Sequence, residues 1–134
     1  MKRKNEATGW LDISPLVFFV ISADQIAKFF VKKLGLNLAC NKGIAFGIGS
    51  DAILLSLVVI VIVFGLLVWA KEKYLKIALA LIFAGGLSNF IDRIFAGCVR
   101  DFIKIGFWPA FNVADGAITC GVVLLLLILF RDSK

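Results

Sequence analysis

The sequence predicts an all-α integral membrane protein: four transmembrane helices carrying a small extracytoplasmic β-element. Three observations predict it. Of 134 residues, 61% are hydrophobic and only 18% charged, and the mean hydropathy is +1.00, far from the balance of a soluble domain. The apolar residues gather in four runs of about 20, the length that crosses hydrocarbon at roughly 1.5 Å per residue. Between the first two runs, "KKLGLNLACNKGIAFGIGSD" (32–51) is glycine-rich and alternates apolar with polar residues over short lengths, which suits strands and turns.

The first span covers about residues 10–31 and contains Asp24 and Lys28. These are spaced i, i+4 with the acid first, the favourable order for a helical ion pair. The run lacks a small-residue cleavage pattern and is expected to stay attached. A second span, about 52–70, is joined to a third, about 77–96, by "KEKYLK" (71–76). So tight a connection makes them antiparallel neighbours. The third span holds "AGG" (84–86) and Ser88, small residues that let membrane helices approach closely. It then carries Asn89, Asp92 and Arg93. Arg93 can also be read as snorkelling to the interface. An outer segment, 97–111, mixes Phe, Trp and Ile with Arg and Lys, as chain lying in the interface does. Pro109 ends regular structure before the fourth span, about 112–130. One membrane domain accounts for residues 1–134.

Basic residues set the orientation. "MKRK", Lys71, Lys73, Lys76, Arg131 and Lys134 fall on one side, and Lys32, Lys33, Lys42, Arg93, Arg100 and Lys104 on or near the other. The first positive cluster usually dominates, so both termini are expected in the cytoplasm. The net charge of +6 sits at the ends of apolar runs, which argues for lipid headgroups and topology and against nucleic acid. With no histidine and three scattered cysteines, zinc ligation and Ser-His or Cys-His nucleophiles lack material. No metal or other cofactor is expected. If the chain does chemistry, its nine Asp and Glu residues are the candidates.

An ionisable group within a span costs at least ~2.5 kcal/mol on insertion scales and is a functional candidate by default. Alternating spans bring Asp24 and Lys28, then Asn89, Asp92 and Arg93, then Asn112 and Asp115, to one depth near the outer surface. Asp115 lies about 24 Å along the helix from Arg131, beneath the opposite headgroups. Asp101, in the outer segment with thirteen residues between it and Asp115, can fold back to meet it. Two adjacent carboxylates share a proton, one raised in pKa and the other basic, as an aspartic-protease dyad requires. Spacing alone leaves this one reading among several.

Motifs narrow it. "NKGIAFG" (41–47), "GGLSNFIDR" (85–93), "VRDF" (99–102) and "FNVAD" (111–115), with "ADQIAKFFV" (23–31), resemble lipoprotein signal peptidase (signal peptidase II) in order and place. The resemblance implies an intramembrane aspartic endopeptidase of the bacterial cytoplasmic (inner) membrane, cleaving prolipoproteins before a diacylglyceryl cysteine and blocked by globomycin. It implies Asp101 and Asp115 as the catalytic pair. Asn41, Gly43, Asn89, Arg93 and Asn112 would bind substrate, and Asp24, Lys28, Asp92 and Gly86 would support the site. Membrane lipid is the other expected partner, no nucleic acid is, and the protein is expected to be a monomer. The chain departs from the family pattern at Ser88, where glycine is usual, at Arg100, where an apolar residue is common, and in a short interval between the aspartates. A lowering of the Asp101 pKa by Arg100 requires that they face each other, whereas neighbours in extended chain face opposite ways. Whether Cys40 and Cys98 pair stays open. The competing reading is a small ion or proton translocator, which should carry polar groups along a continuous path. "VVLLLLILF" (122–130) offers none.

Overall fold

A computed structural model describes residues 8–42 and 49–134. Four helices, α1 (Thr8–Lys33), α2 (Gly49–Trp69), α3 (Lys73–Ala96) and α4 (Val113–Asp132), alternate with two short strands, β1 (Ala39–Asn41) and β2 (Val99–Asp101). All four are long and apolar enough to cross a membrane. Large apolar side chains such as Phe18, Phe19, Leu54, Ile62, Leu127 and Phe130 are exposed on the outside of the bundle, the arrangement for a lipid solvent, in which an exposed leucine costs nothing.

Local chemistry sets the helix ends. Glu72 has extended backbone and its carboxylate accepts the Leu75 N–H at 2.6 Å. This cap starts α3 four residues before its apolar run. Gly97, at φ 74°, ends α3 in the left-handed conformation that glycine adopts without strain. Asn112 and Asp115 form a reciprocal capping box at the start of α4, satisfying two backbone donors that would otherwise be buried unpaired.

The bundle centres on α3, which packs against α1, α2 and most closely against α4. Small residues allow this. A Cβ on Gly85 would run into the Ala114 carbonyl oxygen, and one on Gly121 would lie 2.6 Å from the Ala78 carbonyl oxygen. Ala78, Ala84 and Ala114 are fully buried around them. Gly86, expected to support the site, is on the side of α3 toward α2, where a Cβ would make an ordinary 3.7 Å contact with Ile60. At one end of the bundle, Ile13, Leu67, Ala70, Leu79 and Ala80 form an apolar core. The other end is polar.

That polar end carries the β-element. β1 and β2 pair antiparallel, Ala39 opposite Asp101, Cys40 opposite Arg100 and Asn41 opposite Val99. Cys40 and Cys98, whose Cα atoms are 5.5 Å apart, form a disulfide across it. After β2 the chain makes a short hairpin, closed where Phe111 accepts from the Phe102 and Ile103 amides and donates back to Ile103. Its tip bears Phe107, 97% exposed. The outer segment is thus an ordered excursion that returns to α4.

Candidate active site

The polar end is built in two linked layers. In the deeper one, Lys28 on α1 lies 2.5 Å from Asp24 Oδ2 and 2.9 Å from Asp92 Oδ2 on α3. Asp24 also accepts the Ser88 hydroxyl at 2.7 Å and, through Oδ1, the Ala114 amide at 3.0 Å. That last bond satisfies a free donor in the first turn of α4. Asp92 accepts the Arg100 guanidinium at 2.7 Å and the Arg100 amide at 2.9 Å. Asp24 and Lys28 are 0% exposed and Asp92 1%. Burial of such groups is tolerable because two acids face two bases and all four carboxylate oxygens accept hydrogen bonds, although Arg100 Nε is buried without a hydrogen-bond partner among the described residues.

The second layer lies between β2 and α4. Asn112 sits at its centre. Its Nδ2 donates to Asp101 Oδ1 at 2.9 Å and to Asn89 Oδ1 at 3.0 Å, and its Oδ1 accepts the Asp115 amide at 2.8 Å. Asp115 Oδ2 accepts the Asn112 amide at 3.1 Å, and Oδ1 accepts Asn89 Nδ2 at 2.9 Å. Asp101 is also hydrogen-bonded by the Asn41 side chain of β1. Two carboxyl groups from separate pieces of chain are therefore joined through one asparagine.

The proton affinity of Asp101 follows from this setting. Burial, and then the Asp115 charge nearby, push its carboxyl up from 3.8 to about 6, against opposing bonds from Asn41 and Asn112 and the Lys28 charge. Beside Asp115 a groove of about 340 Å³ opens between α2, α3 and α4. Its walls include Leu55, Val59, Ile60 and Ile118, with Asn89 and Arg93 among them. Arg93 Nε is buried without a hydrogen-bond partner among the described residues. A polar strip along an apolar trough suits an extended peptide bound within lipid. Among the described residues no group of three or more acids and cysteines could hold a metal ion.

The residues singled out in the sequence fall as follows. Asp101, Asp115, Asn89 and Asn112 form one hydrogen-bonded group with Asn41, and Arg93 lines the groove beside it. Asp24, Lys28 and Asp92 lie in the layer beneath. Gly43 lies outside the described residues. Gly86 lines the groove, and the close helix approach belongs to Gly85. Arg100 does not face Asp101, because strand alternation sends it to Asp92 and Gln25. Sequence reasoning gave no role to Gln25, whose amide binds Ser88 and Asp92 at 3.0 Å each. The available signal was a polar residue beside Asp24 within an apolar span.

Known proteins resemble this chain over most of its length. Residues 16–131 match the signal peptidase (SPase) II family. The chain is 39% identical to a lipoprotein signal peptidase of Pseudomonas aeruginosa over 93% of its own length and 89% of that protein's. It is 33% identical to one from Staphylococcus aureus, covering 89% and 88%. Two solved structures of bacterial membrane enzymes, at 2.3 and 1.9 Å resolution, each superpose with a TM-score of 0.76, at 29% and 30% identity. They cover 96% and 94% of this chain, and 90% and 94% of their own is matched. A multi-pass membrane architecture follows.

Proposed function

Since the chain belongs to the signal peptidase II family, we propose that it is an intramembrane aspartic endopeptidase that removes the signal peptide from diacylglyceryl-modified prolipoproteins, cutting N-terminal to the lipidated cysteine. The observation that carries the reading is the linkage of Asp101 and Asp115 through Asn112 at the polar end of an otherwise apolar bundle. In the reaction, the ionised carboxylate of the pair takes a proton from water as its oxygen attacks the scissile carbonyl. The protonated carboxyl hydrogen-bonds the carbonyl oxygen and gives it its proton as the water oxygen adds, so the intermediate is a neutral tetrahedral diol. Collapse breaks the C–N bond as a carboxyl delivers a proton to the departing amine. Atoms balance with water alone, and no cofactor is needed.

Substrate binding has matching surfaces. Asn89, Arg93, Asn112 and Asn41 are assigned to the substrate backbone, and Gly43 is assigned to it on the family resemblance alone. The groove walls and surrounding lipid take the apolar signal segment and acyl chains, and globomycin is expected to compete for this position. The enzyme works in the bacterial cytoplasmic membrane with both termini in the cytoplasm and its site near the outer face. The Cys40–Cys98 disulfide, at the same end as Asp101, supports that sidedness, since disulfides persist outside the reducing cytosol.

The test is cleavage by purified protein of paired precursors that differ only in the diacylglyceryl group, with products identified by mass. Cutting of the lipidated form before its cysteine, suppressed by globomycin, is expected. Equal turnover of the non-lipidated form, or a cut elsewhere, contradicts the proposed specificity.

A further inference from the structure

We infer that Arg100 is a positioning residue for the proposed peptidase reaction: it fixes the strand that carries Asp101 by gripping Asp92 and Gln25 on the opposite side. The inference rests on the aspartic reading above. β2 has three residues, too few to hold a catalytic carboxyl by ladder bonds alone. Arg100 supplies what the ladder lacks. Its backbone N–H donates to Asp92 Oδ2 at 2.9 Å, and its guanidinium Nη2 donates to Asp92 Oδ1 at 2.7 Å and Gln25 Oε1 at 3.0 Å. Its carbonyl oxygen accepts from Asn112 Nδ2 at 3.4 Å, the nitrogen that also bonds Asp101. Both peptide groups of Arg100 are therefore held, one by α3 and one by the residue that joins the two aspartates.

The anchor is itself rigid. Asp92 is 1% exposed and fixed from α1 by Lys28 at 2.9 Å, and Gln25 is held by Ser88. Main-chain and side-chain donors of one residue on the two oxygens of one carboxylate leave β2 little freedom to rotate or slide. Alternation along the strand then directs the next side chain, Asp101, to the other side, toward Asn112. Arg100 acts through geometry without touching the substrate, so its loss should slow the chemical step more than it weakens binding. A displacement of about 1 Å in a reacting group is enough to cost roughly 100-fold.

One nitrogen makes both side-chain contacts, so a lysine ammonium can replace part of the grip and an apolar side chain none. Arg100→Met is expected to lower kcat about 10- to 100-fold with KM within about threefold, and Arg100→Lys to recover most of the loss. Rates are referred to folded protein by thermal unfolding in detergent. If Arg100→Met does not fold, Gln25→Leu removes the neutral arm while every charge stays in place, and a several-fold fall in kcat at constant KM is expected. Wild-type kcat in the variant tested, a loss confined to KM, or an Arg100→Lys enzyme no faster than Arg100→Met overturns the inference. Absence of cleavage by the wild-type enzyme in the same assay defeats the peptidase reading and this inference with it, whereas failure of Arg100 alone leaves that reading standing.

Discussion

Asp101 is a carboxyl that burial and a neighbouring acid make reluctant to ionise, so its pKa rises from 3.8 to about 6. The sign for catalysis follows. In the proposed mechanism the pair needs one proton, and raising the pH through about 6 removes it, so kcat/KM should fall above that value by up to about tenfold per unit. A pH–rate profile from 4 to 9 on the purified enzyme checks this, and a rate still climbing between 6 and 8 contradicts it. The sign for stability is parallel: the protonated form is favoured by folding, so this contribution is complete below 3.8 and is lost as pH rises through about 6. Beneath the pair, Lys28 is the cation between two buried acids. Lys28→Met leaves Asp24 and Asp92 underpaired in a site closed to water, a loss of ~3–5 kcal/mol. Unfolding in detergent should show it as a clear drop in midpoint, while an unchanged midpoint means the network is not structural.

At the scale of elements, the site depends on a sheet of two three-residue strands and on one helix pair. Asn41 reaches Asp101 only while β1 stays on β2, and the Cys40–Cys98 bond ties β1 to the chain just before β2. Short two-stranded pairings are marginal alone. Cys40→Ser, or treatment with a dithiol, should therefore cut kcat/KM several-fold, and full activity without the disulfide would show that the ladder suffices. The α3–α4 contact sets the distance from Asn89 to Asp115, and Gly85 sets that contact against Ala114. Gly85→Ala forces backbone apart at an overpacked position, at a cost of about 1–3 kcal/mol, and should lower activity with stability. Gly86→Ala meets only an ordinary contact with Ile60, so its stability should stay near wild type in the same melts.

At the scale of the whole molecule, the bundle is asymmetric: apolar packing at the end holding Ile13 and Leu67, buried charge at the end holding Asp101. That asymmetry was legible in the sequence, because lipid demands runs of about 20 apolar residues and alternating spans bring interrupting polar groups to one depth. Finer features were not. "AGG" does not reveal which glycine faces α4, since that depends on helix rotation set by packing. Strand alternation suggested that Arg100 turns away from Asp101, but only the fold supplies Asp92 and Gln25 to receive it. Cys40 and Cys98 are 58 residues apart, and only the register of two distant strands brings them together. The proposed orientation places the C-terminus inside: a fluorescent protein fused after Lys134 should light up and a phosphatase fused after Cys98 should be active, with the reverse pattern contradicting it. Turnover of the lipidated precursor by Asp101→Asn and by Asp115→Asn, each shown to be folded, tests the central claim most directly. The account predicts that either change alone reduces cleavage to background. Substantial cleavage by either enzyme would contradict it.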